Sequence, residues 1–227
     1  MSEINELLKK GQELYDAGEY IESEKIDNEV LLMSADDEEI TEALRQQGWN
    51  RYYLAIKGPV DQKEESLKIS EKAFWDALSK SKVKDPEKEL SIFNGLPLAI
   101  WILGKKDEAW LVSDQATQRF SNEPSAWNTR GILCRWAKDF EQGVEIGEKV
   151  FQTALAKEDY RTAGHGKHNK ADSLMQLDRV SQAEREYYAA VDLYKRFEEA
   201  TGGKVQVHIE GVQEKLLKIL EAKRAQE

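Results

Sequence analysis

The chain has 227 residues, and its 33 Lys and Arg against 43 Asp and Glu leave a formal net charge of −10 at pH 7. That balance repels a phosphate backbone unless the cations are segregated onto one face, so nucleic acid is not an expected partner. Hydrophobic residues at 40% and aromatics at 9% exceed what a disordered acidic chain carries, while four prolines and fourteen glycines are too few turn formers for a sandwich or barrel. Composition therefore predicts a hydrated, folded, all-α protein.

The single cysteine, Cys134, has no internal disulfide partner, and no Cys or His cluster carries the spacing of a structural zinc site. The first residues, Met-Ser-Glu-Ile-Asn-Glu, are acidic where an export leader is basic. The longest uninterrupted apolar run, 98–103, is far short of a membrane span. A cytoplasmic protein with no membrane association is expected.

Ile4, Leu7, Leu8, Leu14 and Tyr15 recur at spacings of three, four and seven, so residues 2–17 are predicted to form an amphipathic helix. Gly18 interrupts it. Tyr20, Ile21, Ile26, Val30, Leu31 and Met33 then form a second stripe, and the chain opens as a helical hairpin turned at Ala17-Gly18-Glu19. Asp36-Asp37-Glu38-Glu39 reads as the start of a third helix, where negative charge meets the positive end of the helix dipole. A calcium site would need the alternating oxygen ligands and glycine of an EF-hand loop, which are missing.

Small residues then recur in matched places. Gly11, Gly48, Pro97, Gly131 and Ala171 form one set, and Ser23, Ser66, Ala109, Gly143 and Ala183 a second. Val30, Ala73, Ala116, Val150 and Ala190 follow seven residues after the second set. Closely packed helix pairs need small side chains where their backbones approach, so five hairpins are predicted. In the second, the turn around Gly58-Pro59 absorbs an insertion. Pro97, lacking an N–H, is expected to kink its helix, and Pro124 suits the first turn of another. After Thr201-Gly202-Gly203, a helix stop, Val205, Ile209, Val212, Leu216, Ile219 and Leu220 form a last stripe. It is expected to cap the array's apolar end, with a partner or dimerisation helix as the alternative.

Trp127, Gly131, Asp139-Phe140, Gly143 and Val150 stand where the repeat of about 34 residues of the tetratricopeptide family places its helix-A, turn and helix-B positions. The chain resembles that family over about residues 5–200. It departs from it where Lys10, Gln47, Arg130 and Lys170 replace the motif leucine and Arg51 and Cys134 its tyrosine. The resemblance implies an all-α, right-handed α-solenoid of about five hairpins in residues 1–203, with an amphipathic capping helix in 204–227. It also implies a concave wall built from the first helix of each pair, and a non-catalytic scaffold that binds a protein or peptide there. Some members grip a peptide carboxylate with Lys and Asn, but Leu8 and Gln12 stand at those places here.

On that alignment the groove-facing positions include Arg45, Trp49, Tyr52, Asn94, Trp101, Asn128, Arg135, His168 and Asn169. Aromatic rings and Arg dominate binding hot spots, and Asn amides match an extended peptide backbone. For Tyr52 and Trp101 core packing is the competing explanation. A small-molecule or signal-peptide sensor, with Trp49, Tyr52 and Trp101 closing on a ligand, is the second functional reading.

No P-loop, nucleophile elbow, zinc-protease motif or dinucleotide fingerprint is present. No catalytic residue, cofactor or metal is expected. His165-x-x-His168 with Asp172 is the nearest approach to a ligand set, but this spacing arises readily in helices, and Gly164 and Gly166 read as a loose helix start. Cys134, at a position that packs inward, is expected to be an inert buried thiol.

Overall fold

The computed structural model describes residues 2–80 and 85–224. Those residues form eleven α-helices and one short 3₁₀ turn, Val60–Gln62, with no strand among them. The chain divides into two compact units, Met1–Ala116 and Thr117–Glu227.

Unit 1 contains α1 (Glu3–Asp16), α2 (Tyr20–Met33), α3 (Asp37–Lys57), α4 (Lys63–Lys80), α5 (Pro86–Ile102) and the start of α6 (Lys106–Arg119). Ser2 caps α1 by accepting from the Asn5 N–H, Asp36 caps α3, and Asp85 caps α5 ahead of Pro86 at its first turn. Gly18 and Gly104, both at positive φ, turn α1 into α2 and α5 into α6. The first helices of successive hairpins also pack on one another, α1 on α3 and α3 on α5.

The recurrent small residues do what close packing requires, with one change of register. Ser23 on α2 donates its hydroxyl to the Gly11 carbonyl at 2.8 Å, and the same bond joins α4 to Gly48 at 2.7 Å, but from Ser70 rather than Ser66. The longer α3–α4 connection, with its 3₁₀ turn, shifts the partner by one helical turn. Phe74, fully buried on α4, lies against both Gly48 and Gly95, and a Cβ at either glycine would meet its ring closer than 3.0 Å. In the third hairpin the close approach is therefore at Gly95, while Pro97 is buried two residues further along α5.

A polar cluster is sealed beneath α1. Asn50 donates to Ser23 Oγ and Asp27 Oδ2, both at 2.8 Å, whereas Asp27 Oδ1, Gln46 Oε1 and Asn50 Oδ1 are buried with no partner among the described residues. Burial pushes the Asp27 carboxyl up to about 8, so it is neutral at pH 7.

Unit 2 contains α7 (Pro124–Ala137), α8 (Phe140–Leu155), α9 (Tyr160–Gln176), α10 (Val180–Thr201) and α11 (Gln206–Arg224). Pro124 opens α7, and Asp139 and Asp159 cap α8 and α9. Lys138 and Asp178, at φ 60 and 56, occupy the left-handed turn positions that unit 1 gives to glycine. α7 packs on α9, and each helix also packs on the next in sequence. Gly164 and Gly166 lie inside α9 rather than at a loose start. A Cβ at Gly166 would strike the α8 backbone at Phe151 and Gly147, and one at Gly164 would strike Tyr194. Lys167 and Lys170 on α9 each bridge Glu148 of α8 and Glu186 of α10 at 2.7–3.1 Å. Val205, Ile209, Val212, Leu216 and Ile219 are buried with Tyr187, Ala190 and Tyr194 of α10, while Leu220 is exposed.

Candidate functional site

Unit 1 holds five of the sequence-predicted groove residues, and its packing engages most of them. Arg45 is held by Glu42 three residues before it on α3, by Gln12 of α1 at 3.3 Å and by Ser91 of α5 at 3.2 Å. Burial would raise the Glu42 carboxyl, but the guanidinium more than offsets this and holds it below the ordinary range. Trp49 donates its indole N–H to the same Ser91 hydroxyl at 3.0 Å and stacks on Tyr53, with its edge toward Phe74. Tyr52 and Trp101 are each only 9% exposed, so both are core side chains, as their competing explanation had it. Trp101 packs edge-on to Trp110. Asn94 is half-buried on α5. These rings form an aromatic seam running from Tyr20 through Tyr53 and Trp49 to Tyr52, closed at one end by Lys57 over Tyr20.

Unit 2 brings the other four together. Arg135 of α7 donates to Asn169 Oδ1 of α9 at 3.3 Å, and Asn169 donates to Asn128 Oδ1 of α7 at 3.1 Å. This ladder uses one guanidinium N–H and leaves the others, with the Asn128 amide N–H groups, unpartnered among the described residues. Next to Asn169 on α9, His168 meets a residue that the sequence reading passed over. Lys215 of α11 donates to His168 Nε2 at 2.9 Å and to Asp172 Oδ1 at 2.5 Å, and Tyr187 donates to the same carboxylate oxygen at 2.6 Å.

An ammonium has no acceptor capacity, so His168 Nε2 must be the accepting nitrogen of a neutral imidazole. Burial lowers the His168 pKa, with Lys215 and Arg135 acting in the same direction and Asp172 opposing them. His165 is hydrogen-bonded through Nδ1 to the Tyr194 hydroxyl at 3.0 Å, and its ring lies 4.6 Å from that of His208 on α11. Burial first, and then the neighbouring His208 and Arg161, push His165 down to about 4. All three histidines of the chain thus converge where α11 meets α9 and α10. Each of His165, His168 and Asp172 already has a polar partner, Tyr194 for His165 and Lys215 for both His168 and Asp172. Among the described residues no group of three His, Cys, Asp or Glu is placed to hold a metal ion.

A pocket of about 550 Å³, which shares Arg135 with the ladder, opens among α7, the start of α8, α9, α10 and α11. Phe140, Met175, Val180 and Ile219 give it an apolar lining, and Arg135, Lys138, Lys215 and Lys218 contribute cations against the single carboxylate of Asp172. Cys134 lies within α7, fully buried, with its thiol donating to Gln142 Oε1, and burial pushes it up to about 11. A thiol so raised is a poor nucleophile at neutral pH. Lys138, His208 and Lys215 were missed because they belong to a turn and to the last helix. The available signal was the seven-residue spacing of His208 and Lys215, which places them on one helical face.

No family model and no curated protein matches the chain. Among solved structures it is similar to the crystal structure of BtubC (BKLC) from P. vanneervenii, with a TM-score of 0.61 and 17% identity over 86% of this chain and 79% of that one. At that identity the likeness is one of fold. No helix of the described residues is long and apolar enough to cross a membrane.

Proposed function

We propose that the chain is a non-catalytic scaffold of the tetratricopeptide type, a right-handed α-solenoid whose first helices form a concave wall that binds a protein or peptide. The observation that carries this reading is the Arg135–Asn169–Asn128 ladder. It joins the first helices of two successive hairpins and leaves guanidinium and amide donors outward, where an extended backbone needs them. The packing of α1 on α3, α3 on α5 and α7 on α9 supports the same wall within each unit. Arg45 and Trp49 contribute chiefly by holding α3 to α5 through Ser91.

The test is to select peptides from a random display library on the purified protein and then measure the winners against Arg135→Ala/Asn169→Ala. Loss of two charge-assisted or amide contacts should weaken binding by about tenfold or more, with the thermal midpoint held within a few degrees. Unchanged affinity across independent winners overturns the groove assignment.

A further inference from the structure

The α7–α11 pocket has a chemistry of its own. It lies in a chain of net charge −10, yet its lining carries four cations and one carboxylate. Lys215 is neutralised by Asp172, and Lys218 shares Glu214 at 2.8 Å. Arg135 and Lys138 have no ion-pair partner among the described residues. A pocket of similar size in unit 1, about 490 Å³, is lined by three lysines against two carboxylates, with Lys68 paired to Glu64 and Lys105 to Glu71. Lys138 sits in a left-handed backbone conformation at the hairpin turn, which places its side chain on the pocket rim.

Unpaired cations beside an apolar cavity favour a ligand that is itself apolar with one anionic end. The apolar body displaces water from Phe140, Met175, Val180 and Ile219, and the anion meets Arg135 and Lys138, which are exposed at the rim. The volume lies in the range of small-ligand pockets and is too small for a folded partner. We infer that this pocket is a binding site for a small amphipathic organic anion, a carboxylate or sulfonate on an apolar body. The site does not depend on the peptide-binding role of the ladder.

The experiment uses the full chain with 8-anilinonaphthalene-1-sulfonate as the fluorescent probe, competed with decanoate and, separately, with decanol. The expected result is one molar equivalent of probe bound, displaced by decanoate and not by decanol at equal concentration. Arg135→Ala/Lys138→Ala should weaken the probe by about 10-fold to 100-fold, the scale of losing charge-assisted hydrogen bonds. Ala222→Trp fills the mouth of the pocket from an exposed position on α11 and should abolish binding while circular dichroism stays unchanged. Equal displacement by decanol, full affinity in the charge variant, or binding that survives Ala222→Trp would each overturn the assignment.

Discussion

Acidification should loosen the joint between α11 and the rest of unit 2, and the size of the effect follows from the histidines. His165 has a folded-state pKa of about 4 against an ordinary value of 6.5, so the unfolded chain binds a proton more readily than the folded one between those values. Stability is therefore complete above about pH 6.5 and is lost as the pH falls toward 4. One pKa unit corresponds to about 1.4 kcal/mol, which gives about 3 kcal/mol for this ring over the whole interval and about 2 kcal/mol by pH 5. His168 acts in the same sense, because a protonated Nε2 would point an N–H at the Lys215 ammonium. Asp172, Tyr187, Lys215 and Arg135 face His168, and Tyr194, His208, Arg161 and Asp159 surround His165, so Asp172 and Asp159 are carboxylates that oppose the extra charge. With three histidines in the chain, proton NMR resolves three imidazole titrations directly. His165 and His168 should titrate well below 6.5, and amides of 206–224 should lose hydrogen-exchange protection at pH 5 relative to pH 7 after correction for intrinsic rates. His165→Gln should show a shallower fall in urea stability between pH 7 and pH 5. If His165 and His168 titrate near 6.5, or the variant falls as steeply as the parent chain, the reasoning fails.

Two further predictions concern unit 1. Gly95→Ala should lower the urea midpoint, because overpacking against Phe74 costs about 1–3 kcal/mol and outweighs the helix-propensity gain of about 1 kcal/mol. Adding Phe74→Leu should cost less than its own single loss, a non-additivity read from a double-mutant cycle. Asp27→Asn should stabilise the protein at neutral and alkaline pH by about 2 kcal/mol. The acid's folded value of about 8 lies above its ordinary 3.8, so the stability its protonation supplies is present in full below about pH 3.8, falls as the pH rises through that interval and is lost by about pH 8, above which the curve is flat. The amide cannot titrate. Parallel denaturation curves for both proteins from pH 5 to 9 measure the difference, and curves that do not diverge would refute it.

The helices were legible in the sequence because their signals are local. Three-and-four spacing marked the opening hairpin, acidic residues marked the start of α3, and Pro124 sits at the first turn of α7. Small residues marked close approaches, yet Ser66 stood in for Ser70 because the length of an inserted turn does not reveal where the next helix seats. The environment of the site was less legible. Arg45 looked free on its helix, and only neighbouring helices supply Gln12 and Ser91. Tyr52 and Trp101 were placed by register alone, and their burial is decided by what packs behind them. The ladder in unit 2 joins residues that spacing had grouped. The bonds from Lys215 to His168 and Asp172 join residues 47 and 43 positions apart, which one-helix periodicity does not register.

The phenyl ring lodged between two bare α-carbons has an implication for how this chain can change. Residues 48, 74 and 95 lie on three different helices, and each sets a ceiling on the size of the others. A methyl gained at one corner demands carbon surrendered at another, so single steps from this sequence lead downhill while paired steps run nearly level. Engineers wishing to repack unit 1 should treat that trio as one choice with three letters.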